Sequence, residues 1–273
     1  MDADDLAAYL ARIGVPRPPA PELSALAAIQ WGHVTSIPFE NLDILLGRGI
    51  AIDLASVVAK LVRGGRGGYC FEHNTLLAAA LEALGYGVTR LAARVRWLAT
   101  GPTPRTHMLL AVDVPGEPRQ LVDAGFGGTC PTAPIPLAPF VDGGEVAMHH
   151  DRYRLRAEGE GLVLQLAGKD GDGDWADLYW FTLEPHDAID YEVANHYTST
   201  HPRSRFVLGL VCARTTAQGR VTVRDREVSR RRGGPGGAVE REVIGDGERL
   251  LEVLARELGL VFPSGTRFRH GPA

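Results

Sequence analysis

The apolar residues of this chain change their period near residue 87, and that break limits what it can fold into. Up to residue 86 they recur at helical spacing. Leu6, Leu10 and Ile13 share one stripe, which Gly14 stops. Pro21 opens a second helix with Leu23, Leu26 and Ala27 on one face. Asp53 reads as an N-cap before Leu54, Val57, Val58 and Leu61 at i, i+3, i+4 and i+7. After the glycines at 64–68, the spacing predicts a helix from Cys70 to Leu84, ended by Gly85 and Gly87. Beyond residue 87 short β-branched or alternating runs take over: Val88–Leu98, Thr106–Val114, Gln120–Ala124, a hairpin over 152–157 and 162–167, and Trp175–Leu183. Pro115-Gly116-Glu117-Pro118 marks a turn. Regularly spaced strands predict an antiparallel barrel or sandwich. The last third is mixed. It reads as a helix over 185–197, strands over Phe206–Ala213 and Gly219–Val223, a mobile loop from Arg230 to Gly237, and an amphipathic helix over 246–258.

Composition removes whole classes of function. No apolar run approaches the length of a transmembrane span, and the acidic start MDADDLAAYL lacks the pattern of a secretory signal. A net charge of −4 argues against a nucleic-acid partner. Lys60 and Lys169 are the only lysines among 29 basic residues, so 27 are arginines; a GC-rich genome accounts for most of them. Three cysteines, Cys70, Cys130 and Cys212, cannot close a set of internal disulfides, and no CxxC pair exists. A reducing, cytoplasmic home and no metal are the expectation.

The chemistry concentrates around Cys70, in Arg66-Gly67-Gly68-Tyr69-Cys70-Phe71-Glu72-His73-Asn74. Glycines run straight into a helix start and place the thiol in its first turn. The free amides and dipole there favour negative charge, which draws a thiol toward its nucleophilic form. The same amides suit a developing oxyanion. A nucleophilic thiol needs a base, and the base an orienting partner. His107 in the strand-like Thr106-His107-Met108-Leu109-Leu110 and Asp123 in Leu121-Val122-Asp123-Ala124-Gly125-Phe126-Gly127 are polar residues embedded in apolar runs, and they fit those roles. Their midpoint, residue 115, is the edge of the turn, so the pairing is expected to be diagonal or offset, in a register the sequence does not fix. Structural readings compete for each. Cys70 also reads as a small buried residue, His107 as a core histidine and Asp123 as a strand-end carboxylate. His149-His150 reads as a solvated loop, and His73 as a surface or packing residue. The glycines at 125, 127 and 128 match no nucleotide-phosphate motif but permit close backbone approach of a ligand, with Thr129 and Cys130 beside them.

Taken together these segments resemble the arylamine N-acetyltransferase family. Ile37-Pro38-Phe39-Glu40-Asn41-Leu42-Asp43 is similar to its early motif, Arg66–Glu72 to its nucleophile motif, and the segments around His107 and Asp123 to those that complete a triad. Asn195-His196-Tyr197-Thr198-Ser199-Thr200-His201-Pro202 and Ser204-Arg205-Phe206 resemble its linker. The resemblance covers nearly the whole chain and implies an α+β architecture in three parts with a cysteine-protease-like Cys-His-Asp core. Residues 1–86 would form a helical bundle carrying the nucleophile, 87–184 an antiparallel β-barrel carrying His and Asp, and 185–273 a linker helix and α/β lid. It implies ping-pong chemistry with acetyl-CoA as acyl donor, Cys70 acetylated, His107 paired with the thiolate and Asp123 orienting His107. An arylamine or hydrazine would accept the acetyl group, in a xenobiotic-metabolising setting. By the same resemblance Phe39, Val95, Phe126 and Phe206 would line the acceptor pocket, Trp97, Thr106 and Gly127 would contact CoA, Gly125 would belong to the site, and Glu40 and Arg66 would form a structural ion pair. Cys130 departs from the pattern and is expected as an extra reactive thiol near the site. No lysine in the last third can hold the CoA phosphates, so Arg220, Arg224 or Arg230–Arg232 would have to. A homo-oligomer stays open.

Three other readings use the same residues. An amide synthase closing a polyketide-type chain onto an aryl amine from a carrier thioester would keep Cys70, His107 and Asp123; gene neighbourhood separates it. A Cys-His-Asp hydrolase would cleave peptides without CoA. A non-enzymatic binding module would tolerate Cys70→Ala with no loss.

Overall fold

The computed structural model describes residues 1–137, 144–168, 174–234 and 236–269. Helix α1 (Ala3–Ile13) starts on the Asp2 carboxylate, which accepts from Asp5 N, and ends at Gly14 in the left-handed region, where only glycine is unstrained. Helix α2 (Leu23–Ser36) begins two residues after Pro21. A short strand β1 (Phe39–Glu40) and helix α3 (Leu42–Leu45) follow. Asp53 caps α4 (Leu54–Val57) through Ser56 N at 3.0 Å. The regular pitch expected through Leu61 does not continue, because Val58–Arg63 widen into π-helix. That wide turn carries Lys60 to Asp43 and Glu72, at 2.8 and 2.7 Å. Helix α5 (Cys70–Ala83) is buried along nearly its whole length, among α1, α2 and the first strands of the barrel.

Eight antiparallel strands come next: β2 (Gly87–Val95), β3 (Arg105–Asp113), β4 (Gln120–Val122), β5 (Ile135–Pro136), β6 (Val146–Ala147), β7 (Arg152–Glu158), β8 (Gly161–Ala167) and β9 (Trp175–Phe181). They form a nearly closed barrel in the order β5-β4-β3-β2-β9-β8-β7-β6. Leu91, Leu109, Leu121, Leu155, Leu164 and Phe181 fill its interior, while Ala92, Met108, Leu110 and Val112 face α5. Strand β3 is thus buried on both faces, which explains its unbroken apolar run.

The third region opens with α6 (Ala188–Thr200) and α7 (Arg205–Leu208), followed by β10 (Val211–Thr216), β11 (Gly219–Arg224), β12 (Glu227–Arg232), β13 (Val239–Val243) and α8 (Gly247–Leu258). Its antiparallel sheet runs β1-β10-β11-β12-β13, so its first strand comes from the segment between α2 and α3. Helix α8 lays Leu250, Leu251, Leu254 and Leu258 on this sheet against Val223 and Val228. Each such leucine contributes about 1.5–3 kcal/mol of burial.

Two expectations are corrected here. The strand expected over Phe206–Ala213 begins only at Val211, and Arg205–Leu208 is helical. Ser204 caps that turn through Phe206 N, and the Asn41 amide donates to the carbonyls of Phe206 and Gly209 at 2.7 and 2.8 Å. Those carbonyls therefore need no strand partner. The loop expected from Arg230 to Gly237 is strand β12 as far as Arg232, paired on both sides by β11 and β13. Acidic neighbours neutralise two of its three arginines: Arg230 meets Glu242 and Glu257, and Arg231 meets Asp151. Pro235, within that expected loop, lies outside the described residues.

Candidate active site

Cys70 is the first residue of α5 and only 4% exposed. The segment before it is held rigidly. Tyr69 N donates to the Glu72 carboxylate at 3.0 Å, closing the helix start. Arg66 pairs with Glu40 at 2.7 Å and with Asp43 at 3.1 Å, and Lys60 joins Asp43 to Glu72. The expected Glu40–Arg66 pair is therefore one link in a chain of five charges beneath the Cys70 segment. Burial works against the charge on Lys60, but Glu72, Glu40 and Asp43 together raise its pKa. A Cβ on Gly67 would stand 1.9 Å from the Pro38 carbonyl oxygen, so this close passage admits no side chain.

His107 on β3 and Asp123, just past the end of β4, meet as expected. Leu110 pairs with Val122, and continuing that register sets Asp123 opposite Leu109. Asp123 and His107 are thus diagonal neighbours on one face. His107 Nε2 lies 2.7 Å from Asp123 Oδ2, and both side chains are almost fully buried. With Nε2 engaged, Nδ1 is the nitrogen left for Cys70, the other hydrogen-bonding neighbour of the ring. Burial pulls His107 toward neutrality, but the charge and hydrogen bond of Asp123, with Cys70 beside it, lift its pKa to about 10. Burial likewise pushes Asp123 up, yet His107 and the surrounding donors hold it below the ordinary carboxylate range. Cys70 Sγ itself lies 3.6 Å from the Thr106 carbonyl.

The sequence reading missed what holds Asp123. Tyr179 on β9 donates to Oδ2 at 3.1 Å, while Asn74 Nδ2 and Gly125 N donate to Oδ1 at 3.0 and 2.8 Å. Gln30 Nε2 donates to the Asp123 carbonyl at 3.0 Å. Asn74 had a signal, since it follows Cys70 by four residues and so shares its helix face. Tyr179 and Gln30 had none, because nothing local distinguishes them from packing residues.

Phe39, Val95, Trp97, Thr106, Gly125, Phe126, Gly127 and Phe206 all line one cleft of about 980 Å³ with Cys70 and His107. Phe39 and Phe206 pack at 5.9 Å, and Phe126 stands edge-on to the His107 ring at 4.9 Å. Asp123 sits behind His107, away from the cleft.

Several expectations fail. Cys130 is not an accessible thiol: it is 3% exposed, its Sγ donates to the Asp123 carbonyl, and burial pushes its pKa well up. Of the His149-His150 pair, His149 is exposed as expected of a solvated loop, but His150 is not. His150 is buried and donates to Thr216 O at 2.7 Å, and His149 stacks on Trp31 with ring centroids 3.7 Å apart. Arg220 is also buried. It pairs with Asp151 at 2.7 Å and donates to the carbonyls of Gly128 and Cys130, clamping the turn that walls the cleft. Arg220, Arg230 and Arg231 are therefore committed within the protein. Among the described residues no group of three or more His, Cys, Asp or Glu side chains is placed to hold a metal ion, and no helix is long and apolar enough to cross a membrane.

Comparison with known proteins follows the same lines. A family model described as N-acetyltransferase matches residues 22–266. The arylamine N-acetyltransferase of Mycolicibacterium smegmatis is 42% identical over 264 residues, spanning 94% of this chain and 92% of that protein. A solved structure of the M. smegmatis arylamine N-acetyltransferase superposes with a TM-score of 0.87 at 42% identity, over 95% of this chain and 92% of that one. The Mycobacterium marinum arylamine N-acetyltransferase, solved in complex with CoA, gives 0.86 at 38% identity, over 93% of this chain and 92% of the other.

Proposed function

The chain belongs to the arylamine N-acetyltransferase family, and from that premise we propose that it transfers acetyl from acetyl-CoA to an arylamine or arylhydrazine through a thioester on Cys70. The observation that carries this reading is the convergence of Cys70 and His107 at the inner end of a largely apolar cleft, with Asp123 hydrogen-bonded to His107 from behind. In the first half-reaction the Cys70 thiolate attacks the acetyl carbonyl, facing the first-turn amides of α5. The bond from carbon to the CoA sulfur breaks as that to Cys70 forms, and the departing CoA thiolate takes the His107 proton. His107 holds that proton through neutral pH because Asp123 stabilises the imidazolium.

In the second half-reaction the amine attacks the acetyl-Cys70 carbonyl, and neutral His107 takes a proton from its nitrogen. The bond to Cys70 breaks, the thiolate–imidazolium pair returns, and the N-acetyl product leaves. Phe39, Val95, Phe126 and Phe206 suit an aromatic acceptor, which buries its ring and presents an unprotonated nitrogen. Three free cysteines fit a reducing compartment, and we place the reaction in the cytoplasm.

Intact mass after mixing with acetyl-CoA alone tests the reading. One acetyl adduct that maps to Cys70 and disappears on adding an arylamine or hydrazide is expected. An adduct elsewhere, or acetyl transfer undiminished after Cys70 is alkylated, would overturn it.

A further inference from the structure

The cleft has an uneven charge. None of its lining residues is an aspartate or glutamate, although the chain carries 33 acidic residues. Its cationic lining residues, besides His107, are Arg203, Arg205 and Arg224. Arg203 and Arg205 flank the Ser204 cap of α7, and Arg224 ends β11. All three are exposed where they line the cleft, which places them toward its open end, whereas Cys70 is buried at its inner end.

These arginines differ from most others in the chain. Arg66, Arg96, Arg156, Arg220, Arg230, Arg231 and Arg249 each meet carboxylates. Among the described residues, Arg203, Arg205 and Arg224 make no ion pair and no side-chain hydrogen bond. Partial desolvation by its neighbours and the nearby positive charge of Arg224 both lower the pKa of Arg205. Like charges gathered without counter-charge cost stability. A polyanion entering the cleft would relieve that cost.

Strand β11 gives the arrangement its geometry. Arg220, Thr222 and Arg224 alternate onto one face. Arg220 clamps the Gly128 and Cys130 carbonyls, a Cβ on Gly128 would meet the Thr222 methyl at 2.6 Å, and Arg224 stands free at the cleft edge. One face of one strand thus runs from the glycine turn to the cluster of unpaired cations.

Resting on the acyl-transfer reading above, we propose that Arg203, Arg205 and Arg224 form a phosphate-binding rim that takes the phosphate groups of the pantetheine-bearing acyl donor. The guanidinium fork suits phosphate, and an exposed rim binds the charged end while the thioester reaches inward.

The test compares three donors in single-turnover acylation of Cys70: acetyl-CoA, S-acetyl-4′-phosphopantetheine and S-acetylpantetheine, which has no phosphate. The readout is the ratio of kcat/KM for each phosphorylated donor to that for S-acetylpantetheine. Arg205→Gln and Arg224→Gln should each lower the acetyl-CoA ratio by about tenfold, the loss of one charge-assisted hydrogen bond, with Arg203→Gln acting in the same direction. The corresponding lysine variants should recover part of the loss. A matching fall for S-acetyl-4′-phosphopantetheine would place the rim on the phosphate next to pantetheine, which a carrier-bound donor shares. A fall for acetyl-CoA alone would place it on the nucleotide phosphates. Unchanged ratios in all three glutamine variants, with Cys70 still acylated by S-acetylpantetheine, would overturn the rim and leave the Cys70 reading standing. No acylation of wild-type Cys70 by any donor would overturn that reading itself.

Discussion

Asp123 is fixed by four donors: His107, Tyr179, Asn74 and the Gly125 amide. An asparagine there can accept from only one side, so it either turns an N–H toward His107 or loses other partners. Asp123→Asn is expected to slow acylation of Cys70 by about 10³–10⁴-fold through the wrong imidazole tautomer. Rapid-quench mass spectrometry measures it, and a loss below tenfold would remove Asp123 from the proposed role. A second histidine cluster has the opposite electrostatics. The Pro38 carbonyl can only accept, so His73 Nε2 donates to it at 3.2 Å and His73 Nδ1 accepts from His33 Nε2 at 2.8 Å. His33 Nδ1 then accepts from Tyr9 at 2.9 Å. Burial keeps both rings neutral and brings His73 down to about 4. An unfolded histidine binds its proton at pH 6.5, so the unfolded chain gains protons first on acidification. Stability tied to His73 is therefore lost as pH falls from 6.5 toward 4. His73→Gln does not titrate, and its stability deficit against the wild type should narrow by about 3 kcal/mol between pH 7 and pH 4 in urea unfolding. A constant deficit would show that His73 does not titrate in this way.

The site is assembled where the start of α5 meets the end of β4. A Cβ on Gly125 would lie 2.6 Å from Cys70 Cα and 2.9 Å from Asn74 Nδ2. Overpacking of this kind costs about 1–3 kcal/mol, and here the strain falls on Cys70, the proposed nucleophile. Gly125→Ala should cut Cys70 acylation by more than tenfold while the melting transition falls by only a few degrees. Equal acylation by both proteins would show that the junction tolerates displacement. The same join explains why β4 is short: past Val122 the chain leaves the ladder, and Asp123 and Gly125 turn to the helix.

Three segments of the chain meet at Arg220. It reaches from β11 to Asp151 before β7 and to the carbonyls of the cleft turn, while Arg231 on β12 holds the same Asp151 at 2.7 Å. Arg220→Met would leave a buried aspartate short of one partner, a loss of about 3 kcal/mol or more. It should also raise KM for the acyl donor, because the Gly128 wall loses its clamp. Urea unfolding and donor saturation check the two effects. A stability loss with KM unchanged would show that the clamp does not reach the cleft.

The helix stripes ended by Gly14 and capped at Asp53, the strand run around His107, and the glycine-to-helix join at Cys70 were legible because each is a local preference of backbone and burial. So was the set of cleft residues from Phe39 to Phe206, through motif resemblance. The π-helical turn at Lys60, the helical Arg205–Leu208, the strand through Arg230–Arg232 and the burial of His150 were not. In each case the deciding partner is far away in sequence: Glu72 for Lys60, Asn41 for the Phe206 carbonyl, Glu257 for Arg230 and Thr216 for His150. A run of arginines reads as solvated until the carboxylates that neutralise it are in place. The chemistry proposed for Cys70, His107 and Asp123 was suggested by residue type and order. Which arginines remained free to meet a phosphate depended on packing, because an ion pair forms only between side chains that the fold brings within reach.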